Sequence, residues 1–163
     1  MTAVSQSYPN YLGGLNEQPD EVKKPGQVVE ALNVIPDVTE GLTCLGLYGP
    51  NSRKLLSNIS NDDFTNEGIK FSHGKFVTID GVKVWAQRLS YVGELGYELY
   101  VKSSNAKDIY KKIIEVGKNF NISNCGMHAL DTMRMESGFL HWGHDISPEE
   151  NQYQAGLNFT ISY

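Results

Sequence analysis

Cysteine is scarce in this chain: Cys44 and Cys125 are the only two in 163 residues, and they form no C-x-x-C pair. That spacing excludes a disulfide framework and suits a reducing compartment, read here as the cytoplasm. Positive charge is also in deficit, with 14 Lys and Arg against 19 Asp and Glu and a formal net charge of −5. Without a long basic run, nucleic acid is excluded as a partner. No apolar stretch approaches the roughly 20 residues that cross a bilayer, so a membrane is excluded as well. The N-terminus, MTAVSQSYPNYLGG, lacks the charged-then-apolar order of a secretory signal. The N-x-S/T sequons at Asn58, Asn121 and Asn158 are therefore read as chance. A G-x-G-x-x-G dinucleotide fingerprint is missing too, and no flavin site is expected.

What remains is an ordinary globular composition, 40% hydrophobic, in a length that fits one domain with a real core. Residues 1–36 differ from the rest. They hold Pro9, Pro19, Pro25 and Pro36, four of the six prolines, and show no sustained period. An irregular arm is expected there, with a short helix at 28–32. Order begins with a β-type run at 42–49. Pro50 then opens a helix over 50–60 that buries Leu55, Leu56 and Ile59.

Asp80-Gly81 between two alternating runs is a strong hairpin signal, because a type I′ turn needs positive φ at both central positions. It pairs a strand at 75–79 with one at 82–91. A third strand covers 97–101. Ser103 or Ser104 caps a helix over 105–116, with Ile109, Ile113 and Val116 on one face and Gly117 as the stop. A last helix spans 126–137, and AGLNFTISY, 155–163, ends the chain as a strand. The order β-α-β-β-β-α-α-β makes an α+β domain: an antiparallel sheet with hairpins and with helices packed on one face.

Chemistry concentrates in SYVGELGYELYV, 90–101. By the two-residue period, Tyr97, Leu99 and Val101 share one face and Glu98 and Tyr100 the other. Glu98 is then either a solvated acid on an open face or a carboxylate facing a pocket. In the second case its oxygens suit a flat group with two adjacent N–H donors. Tyr91, at the preceding strand end, supplies an aromatic wall. Spacing leaves both readings open. His141, His144 and Asp145 in HWGHD offer no third metal ligand of suitable geometry, so no metal is assigned. Trp142 and the histidines are expected to cover the end of the last helix. Cys125 stands at a helix start with no histidine partner and reads as a buried structural thiol.

SYVGELGYELYV, with DVTEGLTCLGLYGPNSRKLL upstream and GMHALDTMRMESGFLHWGHDI downstream, resembles the glycine-cleavage T-protein family of folate-dependent aminomethyltransferases. LGLYGPNSRKLL, SYVGELGYELYV and HWGHD are most similar to the folate-binding C-terminal portion of dimethylglycine and sarcosine dehydrogenases. The likeness runs from Asp37 to Tyr163, which divides the chain into the 1–36 arm and a partial aminomethyltransferase-like folate-binding domain at 37–163. The resemblance implies a tetrahydrofolate site in which Glu98 accepts hydrogen bonds from the pterin and Tyr91 lines the pocket. It also implies that Glu94 holds the turn, with Gly93 and Gly96 as backbone requirements. The family's first folate-assisting arginine is replaced by Leu130, and Arg134 matches the second, a structural residue paired with Asp131 or Glu136.

The family's catalytic aspartate lies upstream of GLYGP, in a region without a match here, so the catalytic residue stays unassigned and transfer by this chain alone is not expected. The family's C-terminal barrel has no counterpart either. A folate unit built in part leaves apolar surface, so a homo-oligomer or a partner chain that completes the fold is expected. The alternative is a noncatalytic fold remnant that serves as an assembly or interaction module.

Overall fold

The computed structural model describes residues 39–161. The arm at 1–36 and the helix expected at 28–32 lie outside them. Strand β1 (Leu42–Tyr48) leads into helix α1 (Ser52–Ile59), then strands β2 (Gly74–Ile79), β3 (Val82–Gln87) and β4 (Gly96–Lys102). Helix α2 (Ser103–Gly117), a 3₁₀ turn at Lys118–Phe120, helix α3 (Met127–Glu136) and a second 3₁₀ turn at Asn158–Thr160 follow. The strands form one sheet in the order β1-β4-β3-β2, antiparallel throughout. Sheet and helices together make the α+β architecture that the order of elements implied.

The hairpin forms on the Asp80-Gly81 turn, whose φ angles of 50° and 77° are both positive. Its register runs from Ile79 opposite Val82 to Gly74 opposite Gln87. Alternation along β3 and β4 sends Val84, Ala86, Tyr97, Leu99 and Val101 to one face, all at or near zero exposure. Leu55, Leu56 and Ile59 of α1 and Ile109 and Ile113 of α2 close the same core. Burying such side chains contributes about 1.5–3 kcal/mol apiece. Tyr97 is wholly buried in this layer, so its hydroxyl needs a partner: it donates to the Phe64 carbonyl at 2.9 Å and accepts from Arg53 Nε at 3.3 Å.

Several boundaries move for identifiable reasons. Helix α1 starts at Ser52, not Pro50, because Gly49 (φ 122°) first turns the chain and gives its N–H to the Leu95 carbonyl at 2.7 Å. No side chain caps α2. Ser103 is occupied instead, its hydroxyl on Thr43 at 3.1 Å and its N–H on the Gly41 carbonyl at 3.0 Å. Gly117 ends α2 but does not reverse the chain. That role falls to Asn121 (φ 57°), while Gly117 leaves room for Ile122.

Strand β3 stops at Gln87, four residues short of the expected 91, where Leu89 N–H closes a tight turn onto the Gln87 carbonyl at 3.0 Å. The strand expected at 155–163 is not formed among the described residues. Leu157 N–H bonds to the Gln152 carbonyl at 2.7 Å and Ile161 N–H to the Asn158 carbonyl at 3.2 Å, so this backbone pairs with itself. Phe159 is left largely in solvent.

Candidate functional site

With both core helices on one face, the opposite face of the sheet is only partly covered: Cys44 is exposed and Tyr48, Glu98 and Tyr100 are half-buried, whereas Trp85 and Gln87 are buried. Cys44, Gly46 and Tyr48 of β1, Glu98 and Tyr100 of β4, and Trp85 and Gln87 of β3 share that face by register. Cys44 and Trp85 flank Tyr100, and Gly46 and Gln87 flank Glu98. Glu98 is half-buried. Tyr100 donates its hydroxyl to Glu98 Oε2 at 2.7 Å. Burial first, then the hydrogen bond to Glu98, raises the Tyr100 pKa well above its ordinary value, so this hydroxyl stays a donor. Tyr48 is raised in the same way, by burial and then by the Glu98 charge.

The Tyr48 ring lies across the positions of two glycines. A Cβ at Gly46 would meet its ring edge at 2.8 Å, and one at Gly96 would collide with the same ring. Gly96 is therefore required for space, whereas Gly93 needs its positive φ of 76°. Trp85 lies across Gly74 in the same manner and meets Phe76 edge-on at 5.0 Å between ring centroids. Cys44 still meets solvent, yet desolvation and the Glu98 charge push its thiol up to about 12, which keeps it neutral and unreactive.

The carboxylate has no cationic partner among the described residues, whose ion pairs all involve Asp131 or Asp145. A half-buried, uncompensated carboxylate with four acceptor positions, beside aromatic rings, suits a flat ligand that brings its own N–H donors. Tyr91 is elsewhere. Its hydroxyl donates to the Leu140 carbonyl at 2.7 Å and its ring stacks on Phe139 at 6.1 Å. No hydrogen bond or ring contact joins it to Glu98. The aromatic rings around Glu98 by register are Tyr48 of β1, Trp85 of β3 and Tyr100 of β4, and no sequence signal marked Tyr48 or Trp85 for this place.

Glu94 is exposed and makes no hydrogen bond among the described residues. The turn it was expected to hold is docked by Ser137, whose hydroxyl donates to the Val92 carbonyl at 3.3 Å. Arg134 organises the segment behind that turn. It is buried, pairs with Asp131 at 2.7 Å and with Asp145, and donates to the Phe139 carbonyl at 3.1 Å, while Glu136 takes no part. The expected cover of helix α3 is not there: Trp142 is exposed, and His141 and His144 stack on each other at 5.7 Å. Cys125 is exposed rather than buried.

The His141 N–H and then Arg134 hold the Asp145 carboxyl well below its ordinary pKa of 3.8. A depressed folded-state pKa contributes stability in full above the ordinary value, and that stability is lost as pH falls through the folded value. An acid titration followed by Trp142 fluorescence is therefore expected to show the 138–147 segment loosening below the ordinary carboxylate range. Asp145→Asn should abolish that transition; an unchanged profile would contradict the assignment.

The protein-family model described as "GCVT N-terminal domain" matches residues 20–163, so the likeness reaches back beyond Asp37. The chain is 44% identical over 126 residues to 4-methylaminobutanoate oxidase (formaldehyde-forming) of Paenarthrobacter nicotinovorans, covering 77% of this chain and 15% of that protein. Human mitochondrial sarcosine dehydrogenase is 36% identical over 124 residues, 76% of this chain and 14% of its own. The aminomethyltransferase of Halothermothrix orenii is 33% identical over 125 residues, 77% of this chain and 34% of its own. Among solved structures, heterotetrameric sarcosine oxidase from Corynebacterium sp. U-96 in complex with pyrrole 2-carboxylate matches with a TM-score of 0.48 and 13% identity, over 64% of this chain and 55% of that one. The chain thus spans a minor part of the length of these curated relatives.

Proposed function

This chain belongs to the GCVT N-terminal domain family, of the aminomethyltransferase type, and from that premise we propose that its partly open sheet face binds the pterin ring of tetrahydrofolate. One observation carries the proposal: Glu98 is a half-buried carboxylate without a cation among the described residues, set beside Tyr48 and Tyr100. The 2-amino group and N3–H of a pterin present two adjacent donors, the complement of that carboxylate. Tyr91 enters this reading through the resemblance of its motif. When bound, tetrahydrofolate supplies the nitrogen that takes up a one-carbon unit. The role of this chain's residues is to hold and orient the ring, with Tyr100 fixing the carboxylate and Tyr48 providing an apolar surface. The catalytic acid remains unassigned, and a reducing, cytoplasmic setting is part of the same reading. Calorimetric titration of the chain with 5-formyl-tetrahydrofolate tests it. Saturable heat is expected; its absence would favour the noncatalytic module.

Met127, Met135, Phe139, Trp142 and Phe159 stand exposed in the C-terminal part. They support a self-associated chain or one with a protein partner. Light scattering is expected to show mass rising with concentration, and a constant monomer mass would count against self-association.

A further inference from the structure

Gln87 is 5% exposed. It stands directly across from Glu98 in the β3–β4 ladder, on the same face. Its backbone carbonyl is used by Leu89 N–H, but its side-chain amide has no hydrogen-bond partner among the described residues. No buried side-chain polar atom among the described residues lacks a partner, so the tip of this amide reaches solvent and is free to bond a ligand on that face. Resting on the folate reading above, we propose that Gln87 is a specificity-determining residue that donates its side-chain N–H to the ligand ring beside Glu98.

The chemistry selects the direction of that bond. In a 2-amino-4-oxopteridine the two donors that suit a carboxylate, N3–H and one amino N–H, are flanked by the acceptor O4 on one side and by the second amino N–H and then N1 on the other. With O4 turned toward β3, a group beside the carboxylate meets an acceptor; in the opposite orientation it would first meet the second N–H of the 2-amino group, so the ring is placed with O4 toward Gln87. Cross-strand neighbours on one face lie about 4.5–5.5 Å apart at Cβ, which places a carboxamide within reach of that flank. On the other flank of Glu98 stands Gly46, which carries no side chain and lies under the Tyr48 ring. Recognition beside the carboxylate thus falls to Gln87.

The test is calorimetric titration of 5-formyl-tetrahydrofolate against the parent chain, Gln87→Leu and Gln87→Glu, with circular dichroism and melting midpoint recorded for each. Loss of one neutral hydrogen bond is expected to weaken binding by Gln87→Leu roughly five- to tenfold. Gln87→Glu should bind more weakly still, because it sets acceptor against acceptor and a second negative charge beside Glu98. Affinities equal to the parent in folded variants would overturn the role of Gln87 while leaving Glu98 untouched. Gln87→Glu binding tighter than Gln87→Leu would overturn it as well, since Gln87 would then be an acceptor. A parent that binds nothing would remove both readings together. If Gln87→Leu fails to fold, the order of the parent and Gln87→Glu alone decides.

Discussion

Glu98→Gln is expected to weaken 5-formyl-tetrahydrofolate binding by about 1.5–3 kcal/mol, the scale of a lost charge-assisted hydrogen bond. That corresponds to roughly ten- to 150-fold in Kd. The substitution keeps the shape of the side chain and removes the charge, and it replaces one acceptor oxygen by a donor. An N–H facing the N–H groups of the ring repels where the carboxylate attracted. Tyr100 keeps its place either way, because its hydroxyl, now donating to Oε2 at 2.7 Å, can still bond to the amide. The fold is therefore expected to survive, with a melting midpoint close to that of the parent. Calorimetry on the two proteins side by side decides it. Equal affinities would mean that the charge has no part in binding.

The neighbouring residue should behave in the opposite way. Leu99 is fully buried on the helix-bearing face. Leu99→Ala is expected to destabilise the chain by about 2–5 kcal/mol, combining lost burial with the cavity that remains. Against a typical total of about 5–15 kcal/mol this is a large fraction, so the urea midpoint should fall clearly. The folded population should still bind through Glu98 as the parent does. Two adjacent residues of one strand would then separate binding from stability. A Leu99→Ala protein as stable as the parent would contradict the packing of β4 against α1 and α2.

This separation follows from the pleat, and the pleat is legible in the string GYELYV. Alternation there put Tyr97, Leu99 and Val101 on one face and Glu98 and Tyr100 on the other, and the first set is the one that is fully buried. Asp80-Gly81 likewise specified its hairpin, because few residue pairs tolerate positive φ in succession. The apolar spacing in α1 and α2 marked their buried faces. Strong local rules acted at each of these places. The C-terminal segment lacked such a rule. AGLNFTISY has β-type composition, but composition does not provide a neighbouring strand, and its described residues bond locally instead.

The candidate site was legible only in part. Glu98 could be named from its motif, but Tyr48 and Gln87 could not, because they lie some fifty and eleven positions away and meet Glu98 only through strand pairing. Tyr91, nine residues after Val82 closes the hairpin turn, reads like a strand end; the chain leaves the sheet at Gln87 and carries it to Phe139 and Leu140.

By itself, then, the amino-acid order determined the family, through the resemblance of its motifs, and the α+β class, the hairpin and the side of the strand on which each residue of β4 falls, which short-range periodicity and turn stereochemistry set. Which side chains surround the Glu98 carboxylate, which glycines make room for Tyr48, and which carboxylates hold Arg134 were decided only in three dimensions. Register between distant strands and the docking of the 92–96 turn on the end of α3 depend on contacts that no local pattern encodes.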